Sequence, residues 1–166
     1  MRIKKILVDK RVADAPETRL ILSKIKAPHE IVHDMDRVCE QWSNQSGDLF
    51  LEGKKNLLLT ENRGAFIKDC PGTSHYTCCG YKILHIGSYC VMDCSYCILQ
   101  AYFHPPALTY FVNNDLLFTE LDELFLEKKR LRIGTGEFTD SLIWEGCSDI
   151  SHRLLDVFST QSHAVL

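Results

Sequence analysis

Nothing in the chain approaches the roughly 18 consecutive apolar residues that a membrane-spanning helix needs, so no segment reads as a span. The opening, Met1 to Asp9, is basic, but its apolar run Ile6-Leu7-Val8 stops at Asp9 and is too short for the apolar region of an export signal. Positive charge is also not in excess: 19 Lys and Arg face 22 Asp and Glu, for a formal net charge of -3. Proteins that grip a phosphate backbone usually carry a basic footprint, so charge gives no support to nucleic acid as a partner. There is no internal repeat, linker or low-complexity tract. With 45% hydrophobic and 25% charged residues the composition is that of a globular domain with a real core. Together these absences predict one soluble unit in the cytoplasm, away from membranes.

Against that background, eight cysteines need an explanation. A reducing compartment keeps thiols free, so a disulfide framework is not expected and clustered cysteines point to metal or chemistry. Cys70, Cys78 and Cys79 lie upstream of a triplet, Cys90, Cys94 and Cys97, and Cys147 follows. Cys39 stands alone and reads as a small buried hydrophobe. Cys70, Cys78 and Cys79 fit a thiol-lined packing role beside the triplet as well as they fit a second metal.

The first half predicts a strand from Ile3 to Val8 and a helix starting at Asp14-Ala15-Pro16-Glu17, with Asp14 as cap and Pro16 in the first turn. A second helix is expected from Asp34 to Trp42, a loop over Asn44 to Asp48, and a buried strand from Lys55 to Thr60. This half otherwise reads as irregular. From Tyr81 the order becomes strand, loop, helix, strand, loop, helix. Tyr81 to Ile86 is a strand ended by Gly87, and the cysteine triplet falls in the loop after it. Asn114 or Asp115 caps a helix whose Leu117, Leu121, Leu124 and Phe125 share one face. Leu131 to Ile133 is the next strand, Asp149 to Phe158 the next helix, and His163 to Leu166 opens a third strand. Strands alternating with helices predict a parallel sheet whose working loops sit at the strands' C-terminal ends.

The sharpest chemical signal is Cys90-Val91-Met92-Asp93-Cys94-Ser95-Tyr96-Cys97, with three and then two residues between thiols. A four-iron cubane has four corners, so three cysteinates leave one iron open to an exchangeable ligand. A structural zinc site normally shows two cysteine pairs and four ligands. No second pair of that kind exists here, although Cys70, Cys78, Cys79 or a histidine could complete a zinc set. A ferredoxin-type site would want a fourth regularly spaced cysteine. One strand further on, Gly134-Thr135-Gly136-Glu137 forms a glycine-rich turn with a carboxylate. Glycines let a backbone approach a ligand closely, and a glutamate offers charge-assisted bonds to an ammonium group.

The triplet spacing, with Tyr96 before its last cysteine, resembles the radical SAM superfamily closely. Cys97-Ile98-Leu99-Gln100-Ala101-Tyr102-Phe103, Cys70-Pro71-Gly72-Thr73, Cys78-Cys79-Gly80-Tyr81 and Gly134 to Ser141 narrow the resemblance to the spore photoproduct lyase family. That resemblance implies a 4Fe-4S cluster on Cys90, Cys94 and Cys97, and S-adenosylmethionine (SAM) bound near Tyr96, Gly134, Thr135, Gly136, Glu137 and Ser141. It also implies an electron donor such as a flavodoxin or ferredoxin, and DNA photoproduct repair as an activity, with a non-DNA substrate or an inactive metal-binding fragment as alternatives. The family's tyrosine after the last cluster cysteine is Ile98 here. Its hydrogen-donating cysteine after the second strand has only the later Cys147 as counterpart. The implied fold is α/β: an incomplete radical SAM-type (β/α) partial barrel over 81–166, preceded by an irregular α+β N-terminal extension over 1–80. A (β/α) unit takes about 30 residues, so Cys90 to Leu166 holds about two units and the start of a third. The chain is therefore expected to be an N-terminal fragment of the family's enzyme.

Overall fold

The computed structural model describes residues 3–44, 46–72 and 74–166. Met1 and Arg2 of the basic start, Gln45 of the expected loop and Thr73 of the Cys70 string lie outside the described residues. Two sheets organise the rest. In the first, β1 (Lys5–Asp9) pairs in parallel with β2 (His29–Val32) and β3 (Asn56–Thr60), and β3 pairs in parallel with β7 (Leu108–Phe111). A two-residue strand, β6 (Gly87–Ser88), closes this sheet antiparallel to β7, giving the order β2-β1-β3-β7-β6.

The strands expected at Ile3 to Val8 and Lys55 to Thr60 form as β1 and β3, and this N-terminal region is more regular than its sequence suggests because β2 joins them in parallel. Ile6 to Asp9 and Leu57 to Leu59 are buried on both faces, as parallel strands covered by helices must be, so the period-two alternation that betrays a strand is absent. Ile6, Val8, Leu57 and Leu59 face the main core with Ile21 of α1 (Pro16–Lys24). Leu7, Leu58 and Val32 face a smaller core with Met35 and Trp42 of α2 (Met35–Ser43). The caps differ in detail from expectation. Asp34 caps α2 by accepting from the Arg37 amide at 3.0 Å, but α1 starts from Ala15 with no side-chain cap, and Asp14 pairs with Arg19 at 3.6 Å instead. Asp48 caps a short additional helix, α3 (Leu49–Gly53).

In the second sheet β4 (Ile67–Asp69) runs antiparallel to β5 (Tyr81–Leu84), and β5, β8 (Leu131–Gly134) and β9 (Ala164–Val165) run parallel, in the order β4-β5-β8-β9. This is the (β/α) series expected from Tyr81 onward, with α5 (Asn114–Leu126) before β8 and α6 (Ile150–Ser159) before β9. The path from β5 to β8 is longer than the sequence suggested, because it detours through β6, the cysteine loop, the single turn α4 (Leu99–Tyr102) and β7. Leu117, Leu121 and Phe125 of α5 and Leu154 and Phe158 of α6 join Leu84, Ile133 and the first sheet's Ile6 and Leu59 in one core.

A buried polar knot sits where the elements meet. The Tyr110 hydroxyl donates to Glu17 at 3.0 Å and lies 2.7 Å from the Ser148 hydroxyl, which donates to the same Glu17 oxygen at 2.6 Å. Asn114 donates to Tyr110 at 3.1 Å, so it serves this knot rather than capping α5. Burial, reinforced by the Glu17 carboxylate, pushes the Tyr110 phenol well above its ordinary value and keeps it a donor.

Close packing also fixes the exit from α3. A Cβ on Gly53 would stand 1.8 Å from the Pro106 carbonyl oxygen, a backbone atom that cannot swing away. Gly53→Ala is therefore expected to cost about 1–3 kcal/mol, as overpacking does. A lower denaturant midpoint with an unchanged slope is the expected reading; an unchanged midpoint would show that the strand-end loop yields freely.

Candidate metal and cofactor site

The parallel pairing of Ile83 with Gly134 brings the C-terminal ends of β5 and β8 to the same edge of the sheet. The glycine turn leaves β8 directly, and the chain leaving β5 reaches the cysteine loop by way of β6. Cys90, Cys94 and Cys97 are free thiols, Cys90 buried and the other two half-buried. All three border one cavity of about 270 Å³, together with Tyr89, Met92, Tyr96, Leu99, Gln100, Gly136 and Asp140. Inside the loop the Cys97 amide donates to the Cys94 carbonyl at 3.0 Å, the Gln100 amide group donates to the same carbonyl at 2.9 Å, and the Met92 amide points at the Cys90 sulfur at 3.4 Å. Tyr89 enters the loop with φ at +68°, a left-handed conformation that a bulky residue adopts only under constraint. Its hydroxyl donates to the Phe50 carbonyl at 3.1 Å, and burial pushes that phenol up to about 12.

Among the described residues no three His, Cys, Asp or Glu side chains are gathered closely enough for a single metal ion. A tetrahedral ion with sulfur ligands near 2.3 Å would draw its thiolates to within about 4 Å of one another. A four-iron cluster is a wider body, and three soft thiols spread around a cavity of this size are a donor set suited to it.

The glycine turn contributes unevenly. Gly136 lines the thiol cavity and also a neighbouring one of about 330 Å³, which includes Gly134, Thr135 and Ser141. Thr135 donates to the Ser141 hydroxyl at 2.5 Å and closes the turn. A Cβ on Gly134 would meet the Tyr81 hydroxyl at 1.9 Å, so any larger residue there would require that ring to shift. Glu137 is exposed and makes no hydrogen bond among the described residues, and Tyr96 is 90% exposed at the cavity rim. Neither has its carboxylate or hydroxyl engaged in the protein. Cys147 lies apart from the thiols, buried, donating to the Trp144 carbonyl at 3.3 Å, with burial pushing it up to about 11. It borders a separate cleft of about 880 Å³ that shares Met92 and Asp140 with the thiol cavity. Cys70 is half-buried and Cys78 and Cys79 are exposed, away from that cavity's lining.

Sequence reading missed two supports of the site. Lys54 reaches the cysteine loop across 38 positions of chain and donates to the Met92 carbonyl at 2.8 Å while pairing with Asp93. No local pattern signals such a contact. His85 follows β5, with Lys68 Nζ 2.9 Å from its Nδ1, Ser88 Oγ 3.0 Å from its Nε2, and the Phe138 ring at 4.4 Å. Lys68 also lies 5.3 Å from the Phe138 ring centre, so the residue after Glu137 is held from two sides.

These elements define an α/β fold, a partial barrel of parallel strands and helices beside a second sheet. The solved structures it resembles are those of spore photoproduct lyase. The lyase complexed with dinucleoside spore photoproduct superposes with a TM-score of 0.78 at 12% identity, over 98% of this chain and 48% of that one. A lyase variant with bound AdoMet and dinucleoside spore photoproduct gives 0.75 at 14% identity, again over 98% and 48%. The chain thus spans about half the length of the structures it matches. No protein-family model and no curated protein sequence matches it. Among the described residues no helix is long and apolar enough to cross a membrane.

Burial first, and then the Lys68 charge, hold His85 down to about 4 from an ordinary 6.5. The unfolded chain takes up a proton on this ring below about pH 6.5 and the folded chain only near 4, so folding stability falls as the pH drops through that window. The loss is expected to reach at most about 3 kcal/mol. Denaturation series from pH 7 to pH 4 should show this decline and a clearly shallower one in His85→Gln; equal declines would remove His85 as its source.

Proposed function

We propose that this chain carries the cluster-binding and SAM-binding part of a radical SAM enzyme. The observation that carries the reading is that the thiols of Cys90, Cys94 and Cys97, in the loop after β6, and Gly136, in the turn after β8, border a single cavity. When bound, a 4Fe-4S cluster with one open iron would bind SAM and deliver an electron that splits its sulfonium into methionine and a 5′-deoxyadenosyl radical. The chain's own residues have simpler tasks. Cys90, Cys94 and Cys97 supply thiolates, the buried wall around Cys90, Leu99 and Tyr89 keeps water off the sulfurs, and Gln100 braces the loop through the Cys94 carbonyl. Gly134 and Gly136 open backbone to the cofactor, Thr135 and Ser141 hold the turn's shape, and the unpaired Glu137 is free to receive the methionine ammonium. Tyr96 at the rim is free to cover the adenosine end.

The electron would come from a flavodoxin-like or ferredoxin-like donor. A DNA photoproduct is the substrate we favour, since the structures matched are lyases carrying a dinucleoside photoproduct. Ile98 and the distant Cys147 mean that hydrogen transfer to and from the substrate would use groups other than the family's tyrosine and cysteine. The cytoplasm is the expected setting for so oxygen-sensitive a centre.

Anaerobic reconstitution with iron and sulfide, followed by reduction with SAM, tests the reading. The expected result is a four-iron spectrum and 5′-deoxyadenosine, both lost in Cys90→Ala, Cys94→Ala or Cys97→Ala and both retained in Cys39→Ala. Full cluster occupancy in Cys94→Ala, or bound zinc with no SAM cleavage, would overturn it.

The cofactor contact has its own test. Glu137→Ala should leave iron loading nearly intact and weaken SAM binding by about tenfold to a hundredfold, the worth of one charge-assisted bond. Titration of SAM into the reconstituted protein decides it, and unchanged affinity would make Glu137 a loop residue.

A further inference from the structure

We infer that Lys54 is a positioning residue that holds the cysteine loop in its ligand-ready shape before any cluster is present, an inference that rests on the reading of that loop as the cluster site. Lys54 follows α3 in the first α/β layer, far in sequence from the loop, yet its ammonium donates to the Met92 carbonyl at 2.8 Å and pairs with the Asp93 carboxylate. Both partners lie between Cys90 and Cys94. The Lys54 side chain is only 10% exposed, whereas that of Asp93 is 83% exposed, so the lysine is the sheltered post and the loop is tied to it.

A lysine so covered is unusual. It gives up most of its hydration and is tolerated only where charged and polar acceptors replace the lost water. Here both replacements come from the loop. The adjoining contacts point the same way: Tyr89 at the loop's entrance donates to the Phe50 carbonyl of α3, and Gly53 lies directly against the Pro106 backbone beyond α4. Three supports therefore run from α3 and its C-terminal end to the chain on either side of the thiols and between them. A three-residue span between two ligands has many conformations open to it, and fixing its Met92 carbonyl and Asp93 carboxylate removes most of them. The effect is preorganisation of thiols on a rigid post, the condition under which a metal site assembles quickly and keeps its metal.

Lys54→Met keeps the length and apolar stem of the side chain and removes the charge and both bonds. In the metal-free full chain, hydrogen exchange followed by mass spectrometry should show peptide amides between Val91 and Cys97 exchanging about tenfold faster in Lys54→Met, with little change in β1, β3 and α5. Asp93→Asn, which alters the exposed partner alone, should give a smaller increase in the same segment, and Lys54→Arg should restore much of the protection. Iron retained after reconstitution and desalting should fall severalfold in Lys54→Met and recover in Lys54→Arg. Wild-type exchange in the loop of both Lys54→Met and Asp93→Asn would overturn the inference. If Lys54→Met loses its cooperative unfolding transition, Asp93→Asn decides: faster exchange confined to the loop supports the post, and unchanged exchange overturns it. Failure of the cluster reading would appear differently, as a wild-type protein that takes up no four-iron cluster while the exchange results stand.

Discussion

Parallel pairing between β5 and β8 is the constraint on which the site depends. Two strands in that arrangement must be joined by a crossover, and both of their C-terminal ends then fall on one edge. The cysteine loop, reached from β5 through β6, and the glycine turn after β8 therefore come to a shared cavity, although Cys90 and Gly136 are far apart in sequence. In β8 buried Leu131 and Ile133 flank exposed Arg132, so a slip of that strand by one residue would turn Ile133 out and Arg132 in, and the apolar residues hold the register.

The crossover does more than return the chain. By running through β7 it inserts one strand of the connection into the first sheet, beside β3, and the Tyr110 side chain of that strand meets Glu17, Ser148 and Asn114 in the buried knot. Removing Tyr110 would take a hydrogen bond from each of its three partners, and a buried group left unsatisfied costs more than the bond itself contributes. The first α/β layer is thus built into the site's support: β3 and β7 share a ladder, α3 holds the cysteine loop, and β4 extends the second sheet through Ile67 and Leu84.

Much of this was legible in the sequence, for reasons that differ by element. The β5, α5, β8, α6 and β9 series could be read because its helices carry clear apolar stripes, such as Leu117, Leu121 and Phe125, and β8 ends in Gly134, although β5 stops at Leu84, short of the expected Ile86, and Gly87 opens β6 instead. The thiol and glycine motifs could be read because their chemistry demands particular residues at short spacing. β2 and β7 escaped notice. His29–Val32 is an exposed edge with little apolar content, and Leu108–Phe111 is a buried run too short to separate from its surroundings. Asp14 looked like a cap and is not one, because Ala15 takes that backbone position and Asp14 turns to Arg19. Lys54 could not have been singled out and His85 could not have been given its role, since their partners Met92, Asp93, Lys68 and Phe138 become neighbours only when the sheets assemble.

The central claim is that three thiols from one loop hold a four-iron cluster with one iron left open. Mössbauer spectroscopy of the protein reconstituted with isotopically enriched iron, recorded with and without SAM, tests it most directly. The account predicts a four-iron cluster in which one iron site separates from the other three and changes its isomer shift when SAM is added. Four iron sites indifferent to SAM, or no four-iron cluster at all, would contradict it.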